Sequence, residues 1–231
     1  MTVKESLCSS FNYLKNSLLN LPFCDVEINI FNSDARTISS HFQGDIDMIL
    51  TSPPYINVFN YHQNYRAITE AFKYNILDVA HSEFGSNRKN RGNRLLTVIQ
   101  YCLDMEASIN HFWLSLKDGG SLIMVVGRES NVRKMPFYNG EIVSDLISEM
   151  GGYEERGREE RSFSNKFGQR IFEDILICKK IGNTAPNPEY AVTIAEKHLK
   201  KTEKAAPLDV RCDFKDAYLK LNNIKPSPIF E

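Results

Sequence analysis

Two adjacent prolines, Pro53 and Pro54, follow almost directly on the compact apolar run Ile46-Asp47-Met48-Ile49-Leu50. Proline has no amide hydrogen and its φ is held near about −65°, so a pair of them cannot continue through the middle of a sheet. The run therefore reads as a buried strand that leaves its sheet through a stiff corner at Thr51-Ser52-Pro53-Pro54. On either side the apolar spacing alternates between helical and extended. Leu7, Phe11, Leu14, Leu18 and Leu21 recur at helical steps and predict an amphipathic helix closed by Pro22. Val26-Glu27-Ile28-Asn29-Ile30-Phe31 alternates apolar with polar and predicts a strand ending at Asn32-Ser33-Asp34. A turn or short helix is expected over 37–42.

Further along, Leu96, Ile99, Leu103, Ile109, Phe112 and Leu116 mark the buried side of a helix over about 95–116. Asp118-Gly119-Gly120 should end it ahead of a buried strand, 121–126. A second helix is expected over 140–150, stopped by Gly151-Gly152, and then two strands, 153–163 and 172–179, joined by a turn at 165–169. Helices alternating with strands predict an α/β fold with a mostly parallel sheet and an antiparallel hairpin at its C-terminal end. Ligands in such sheets collect beyond the carboxyl ends of the strands, where Asp34 and the 51–55 corner both fall. The texture changes after Gly182. Pro186 and Pro188 suggest a linker, so a main domain over 1–181, interrupted by a polar excursion at 56–94, is expected to precede a peripheral tail, 182–231.

The formal net charge of the 231 residues is −1, which excludes a strongly basic nucleic-acid coat but not a local basic face. Cysteines 8, 24, 102, 178 and 212 are scattered and odd in number. Reduced thiols in a cytoplasmic protein are the expectation. No signal-peptide core occurs in 1–12, and no apolar run is long enough for a membrane span. His62, His81 and His111 have no metal-ligand spacing, so no metal is expected.

The corner itself has a chemical reading. Its prolines fix outward-facing carbonyls, Ser52 adds a hydroxyl acceptor and Tyr55 an aromatic face, a combination suited to gripping an amine on a flat ring. Thr51-Ser52-Pro53-Pro54-Tyr55 resembles the catalytic motif of S-adenosylmethionine-dependent DNA amino-methyltransferases acting on cytosine N4 or adenine N6; Ser at position 52 leans toward cytosine. Asp34-Ala35-Arg36 resembles the acidic position near that family's cofactor, and 118–127 and 173–177 resemble its fifth and seventh strands. The resemblance covers roughly 7–180 and implies an incomplete Rossmann-like methyltransferase sheet. It further implies Ser52, Pro53, Pro54 and Tyr55 as catalytic residues, Asp34 and Thr51 at the cofactor, and DNA as substrate within a modification system. The base would be flipped out, stacked on Tyr55, and its amine held by Ser52 and the Pro53 carbonyl while attacking the sulfonium methyl. Asp34 could instead cap the turn that follows it. Arg88, Lys89, Arg91 and Arg94 could bind phosphates or form a solvated loop. Tyr61, Tyr65 and Arg66 could line the base pocket or pack the excursion.

One family part is missing. None of the twelve glycines forms a glycine-rich turn between a strand and a helix, the element that lets backbone approach the cofactor. By resemblance the two strands that would flank that turn are absent too, which leaves the strand over 26–31 without a neighbour. A second polypeptide supplying the loop is therefore expected, or a coding sequence that begins upstream. Competing readings are methylation of RNA or a glutamine amide, and a non-catalytic nucleic-acid-binding or assembly subunit that keeps the fold.

Overall fold

The computed structural model describes residues 2–22, 25–56, 60–85, 90, 92–165 and 167–229. The chain divides into two compact units, Met1–Asn32 and Ser33–Glu231. The first holds helix α1, Val3–Leu19, started by a capping box. The Glu5 amide donates to Thr2 Oγ1 at 3.3 Å and the Thr2 amide to Glu5 Oε2 at 2.7 Å, satisfying two of the helix's orphan donors. Its apolar stripe, Leu7, Phe11, Leu14 and Leu18, is exposed. The strand expected over 26–31 does not form; the described residues there are irregular, with Ile28 and Ile30 85% and 92% exposed. Alternation specifies which face of a strand would be apolar, but a strand exists only against a neighbour to share its ladder.

The second unit is built on a four-stranded sheet. Strand β1, Ile46–Thr51, carries the corner at its end. Three short helices follow in the excursion: α2, Tyr61–Asn64, α3, Arg66–Ala71, and α4, Ile76–Ser82. The long helix α5, Leu96–Ser115, is buried on nearly every side and is the centre of the core. Strand β2 runs Leu116–Gly127, starting earlier than expected, so that Gly119 and Gly120 lie inside it rather than ahead of it. Gly119 has a φ of +69°, and the β1–β2 register shifts between Ile46 and Met48. A small hairpin that the sequence did not suggest, β3, Glu129–Val132, and β4, Met135–Tyr138, leads into α6, Asn139–Met150. Strands β5, Tyr153–Ser164, and β6, Arg170–Lys180, form the expected terminal hairpin.

Sheet order is β1-β2-β6-β5. β1 and β2 are parallel; β2–β6 and β6–β5 are antiparallel. The sheet is thus mixed α/β, and its parallel character rests on the β1–β2 pairing alone. The register aligns Thr51 with Met124, Gly127 with Glu173, and Glu173 with Arg161, which brings all of these to one end of the sheet. β1 is an edge: among the described residues it pairs on one side only, and Met48 and Leu50 are 56% and 66% exposed.

Residues beyond 182 are not a peripheral tail. Helix α7, Ala191–Glu203, buries Ala191, Ile194, Ala195 and Leu199 and packs on α5 and α6. Helix α8, Arg211–Lys220, buries Phe214 and Ala217. Lys197 and Lys200 occupy the opposite, exposed side of α7, as expected for an amphipathic helix. Its N-terminus is capped from a distance: Glu106 Oε1, on α5, accepts from the Tyr190 and Ala191 amides, both at 2.7 Å. A carboxylate there satisfies orphan donors and the helix dipole together. No helix among the described residues is long and apolar enough to cross a membrane.

Candidate active site

The double proline turns the chain out of the sheet as β1 ends, and Thr51, Ser52, Pro53 and Pro54 form one wall of a cavity of about 290 Å³. Asp34 and Ala35 line it from the segment before β1, Ser82, Glu83 and Phe84 from the end of the excursion, and Met105, Ser108 and Phe112 from α5. Sites for small molecules usually measure roughly 300–1,000 Å³, so this one lies at the small end. Its wall mixes apolar and aromatic surface with two carboxylates.

The hydroxyls of Ser52 and Tyr55 are each held by a residue outside the motif. Ser52 Oγ donates to the Val125 carbonyl on β2 at 3.0 Å. A hydroxyl has one proton, so this bond leaves Ser52 Oγ with only lone pairs to offer on its exposed side. The Tyr55 hydroxyl donates to Glu173 Oε1 at 2.7 Å and lies 3.5 Å from Ser52 Oγ. Glu173 in turn accepts from Arg161 Nε at 2.5 Å. The Tyr55 ring lies on Gly127, where a methyl group in place of a glycine hydrogen would come within 2.6 Å of Cδ2. Burial, together with the Glu173 carboxylate, pushes the Tyr55 phenol up to about 12, so it remains a neutral donor. Tyr55 is half-buried and does not line the cavity, in contrast to the open stacking position expected for it. Beneath the corner, the fully buried Asn139 donates to the Gly127 carbonyl at 2.8 Å and accepts from the Ile56 amide at 3.4 Å, tying the motif's exit to the end of β2.

Asp34 caps the turn that follows it and also lines the cavity. Its Oδ1 accepts from the Arg36 amide at 2.9 Å, which caps the 3-10 helix Ala35–Ser40. Both oxygens also meet the Arg36 guanidinium, at 2.9 and 2.7 Å. Burial alone would raise the Asp34 carboxyl, but the Arg36 bonds outweigh it and hold the group below the usual range. Arg36 is itself buried. It donates to the fully buried Asp104 on α5 at 2.8 Å and to the carbonyls of Ser227 and Pro228, at 2.5 and 3.1 Å. Ser227 completes the arrangement by donating its amide and hydroxyl to Asp104 at 2.8 and 2.6 Å. The C-terminal segment thus underlies the wall that carries Asp34.

The remaining expected residues gather less tightly. Arg88, Lys89 and Arg91 lie outside the described residues; Arg94 is exposed at the start of α5 and reaches neither the corner nor the cavity. Tyr61 and Tyr65 are partly exposed, and Arg66 pairs with Glu70 at 2.7 Å within α3. His62 is buried with Nδ1 at 2.8 Å from Glu83, and His111 Nδ1 meets Ser39 at 2.7 Å. No metal-binding cluster occurs among the described residues. Cys102 and Cys178 are buried free thiols and Cys8 and Cys212 exposed ones, while Cys24 lies outside the described residues. Gly127, Asn139, Arg161 and Glu173 were missed. The one available signal was a Glu-Asp pair opening the otherwise apolar run 175–177, where charge demands a partner.

Neither a family profile nor a curated relative matches the sequence. Among solved structures, a candidate DNA modification methylase from Thermus thermophilus overlaps 67% of this chain and 54% of its own, at 17% identity and a TM-score of 0.39. The same protein complexed with S-adenosyl-L-methionine overlaps 67% and 56%, again at 17% identity and 0.39. A SAM-dependent methyltransferase from Methanosarcina mazei overlaps 74% and 77%, at 12% identity and 0.35. This chain spans about half the length of the Thermus protein. Superpositions this loose carry no functional weight.

Proposed function

We propose that this chain is the catalytic part of an S-adenosylmethionine-dependent DNA amino-methyltransferase, acting on cytosine N4 in preference to adenine N6. One observation carries the reading. Ser52 gives its proton to the Val125 carbonyl and so presents a pure acceptor on a cavity wall it shares with Pro53, whose carbonyl is the second acceptor in this reading. A fixed pair of acceptors suits a group that donates two hydrogens and reacts through nitrogen, which is an exocyclic amine. Holding both hydrogens in place favours a pyramidal nitrogen with its lone pair localised for attack, and such preorganisation needs no reorganisation during transfer.

The cavity fits the cofactor in part. Phe84 and Phe112 suit an adenine ring, and Asp34 and Glu83 suit hydroxyls or a cationic centre. Asp34 keeps lone-pair capacity beyond its bonds to Arg36. When bound, S-adenosylmethionine supplies an electrophilic methyl group. No glycine-rich turn flanks the cavity among the described residues, and β1 has an open edge beside it. A second polypeptide that pairs along β1 and brings such a turn would complete the site. The basic residues Arg88, Lys89, Arg91 and Arg94 are proposed to meet DNA phosphates.

The test is transfer of labelled methyl to unmethylated DNA, with and without a candidate partner, followed by mass analysis of the nucleosides. N4-methylcytosine should form only with the partner present, and Ser52→Ala and Tyr55→Ala should abolish it. Transfer surviving in Ser52→Ala would remove Ser52 from the site. DNA binding without transfer under any combination would favour a non-catalytic subunit.

A further inference from the structure

Outside the motif, one cluster touches the corner directly and has no part in the reading above. Glu173 is buried at the start of β6 with its two oxygens divided: Oε1 takes the Tyr55 hydroxyl at 2.7 Å and Oε2 takes Arg161 Nε at 2.5 Å. Glu173 and Arg161 are joined to Gly127 by the sheet itself, since Gly127 pairs with Glu173 and Glu173 with Arg161 across β2, β6 and β5. Gly127 supplies the flat surface on which the Tyr55 ring rests, and any side chain there would occupy the space of that ring.

We infer that Glu173 and Arg161 are a positioning pair that fixes the Tyr55 ring, and through it the space beside Ser52, for the acceptor base. The inference rests on the methyltransferase reading for its purpose but not for its geometry. A tyrosine ring on glycine slides freely unless its hydroxyl is anchored. The carboxylate supplies the anchor, and Arg161, half in solvent, keeps that carboxylate turned toward the ring. Ser52 has already given its proton to Val125, so the anchored phenol cannot be replaced by a bond from Ser52. The charged groups facing the phenol are Glu173 from β6 and Arg161 from β5, with the uncharged Tyr101 hydroxyl approaching from α5.

The test uses the full chain with a difluorinated tyrosine, whose phenol titrates near neutrality, placed at position 55 and read by fluorine NMR. Glu173→Gln removes a negative charge from the phenol and should lower its midpoint by about one pH unit; Arg161→Gln removes a positive one and should raise it. Opposite signs are the signature of the pair. An unchanged midpoint in Glu173→Gln overturns the inference, as does a fall in both variants, the result of a hairpin that has merely loosened. In the reconstituted enzyme, Glu173→Gln should lower kcat at least about tenfold with KM for S-adenosylmethionine within about twofold. A raised KM with kcat retained would overturn the positioning role. Absence of transfer in the wild-type enzyme would count against the parent reading, while the titration decides the pairing independently.

Discussion

Gly127→Ala tests the packing at the corner with a single methyl group. That methyl would sit 2.6 Å from Tyr55 Cδ2, 2.7 Å from Cε2 and 3.1 Å from Cγ. Carbon atoms in contact settle at about 3.5–4.0 Å, so the ring must retreat by roughly 1 Å. A shift of that size would stretch the 2.7 Å bond to Glu173 out of hydrogen-bonding range. Overpacking of this kind costs about 1–3 kcal/mol. Gly127 does not lie in the left-handed region, so alanine meets no backbone strain and regains about 0.4–1 kcal/mol by restricting the unfolded chain. The expected net loss is about 1–2 kcal/mol, read as a lower urea midpoint at unchanged m-value. Methyl transfer by the completed enzyme should fall about 100-fold, the usual consequence of a 1 Å misplacement. Gly157→Ala is the control: its added methyl would meet nothing nearer than Ile177 Cδ1 at 3.9 Å, and stability should stay within about 0.5 kcal/mol. Gly127→Ala as stable and as active as Gly157→Ala would show that the Tyr55 ring does not rest on Gly127.

Other consequences are equally direct. Asp104→Asn removes the buried charge between Arg36 and Ser227 and should destabilise the chain by about 3–5 kcal/mol in chemical unfolding, while exposing the C-terminal segment to limited proteolysis. Tyr101→Phe deletes a fully buried hydroxyl with no partner among the described residues; stability should be unchanged or rise by up to about 1 kcal/mol in the same assay. His198 is buried 2.8 Å from Asp145, and burial holds its folded-state pKa below the usual 6.5 in spite of that carboxylate. The unfolded chain takes up the proton first as pH falls, so this contribution is complete above pH 6.5 and is lost below it. His198→Gln should flatten the dependence of unfolding free energy on pH between about 7 and 5.

The corner was legible because its determinants are local. Two prolines after an apolar run restrict the backbone whatever surrounds them, and the strand, turn and exit all fell where that restriction put them. The helix over 96–115 was legible for a related reason, since its period repeats over many residues, and the terminal hairpin from the turn at 165–169 between two runs. Residues 26–31 show where such reasoning ends. Their alternation is regular, but periodicity carries no information on whether a neighbouring strand is present. The C-terminal region failed in the other direction. Its prolines and lysines are surface signals, whereas it is bound to the core by one side of α7, Ala191, Ile194, Ala195 and Leu199, and by a cap from Glu106, 84 positions earlier. The lysines mask that stripe in the composition, and a cap from a distant helix leaves no local signal.

The same division between local and distant causes runs through the site. Four consecutive residues, Ser52 to Tyr55, present the chemistry, yet none sets its own orientation. Val125 takes the serine proton, Glu173 takes the phenol, Asn139 holds the backbone leaving the corner, and Arg36 holds Asp34 on the cavity wall. Three of these four lie on the β2, β6 and α6 elements that follow the excursion, and the fourth is braced by Ser227 near the C-terminus. In the proposed reading these acceptors depend on their supports staying in register, because a hydroxyl released from its carbonyl is free to act as donor or acceptor and no longer presents lone pairs alone. The hydrogen-bond directions at this corner are therefore set by β2 and β6, and a transplanted Ser-Pro-Pro-Tyr without those partners would keep the shape of the loop and lose the direction of its hydrogen bonds.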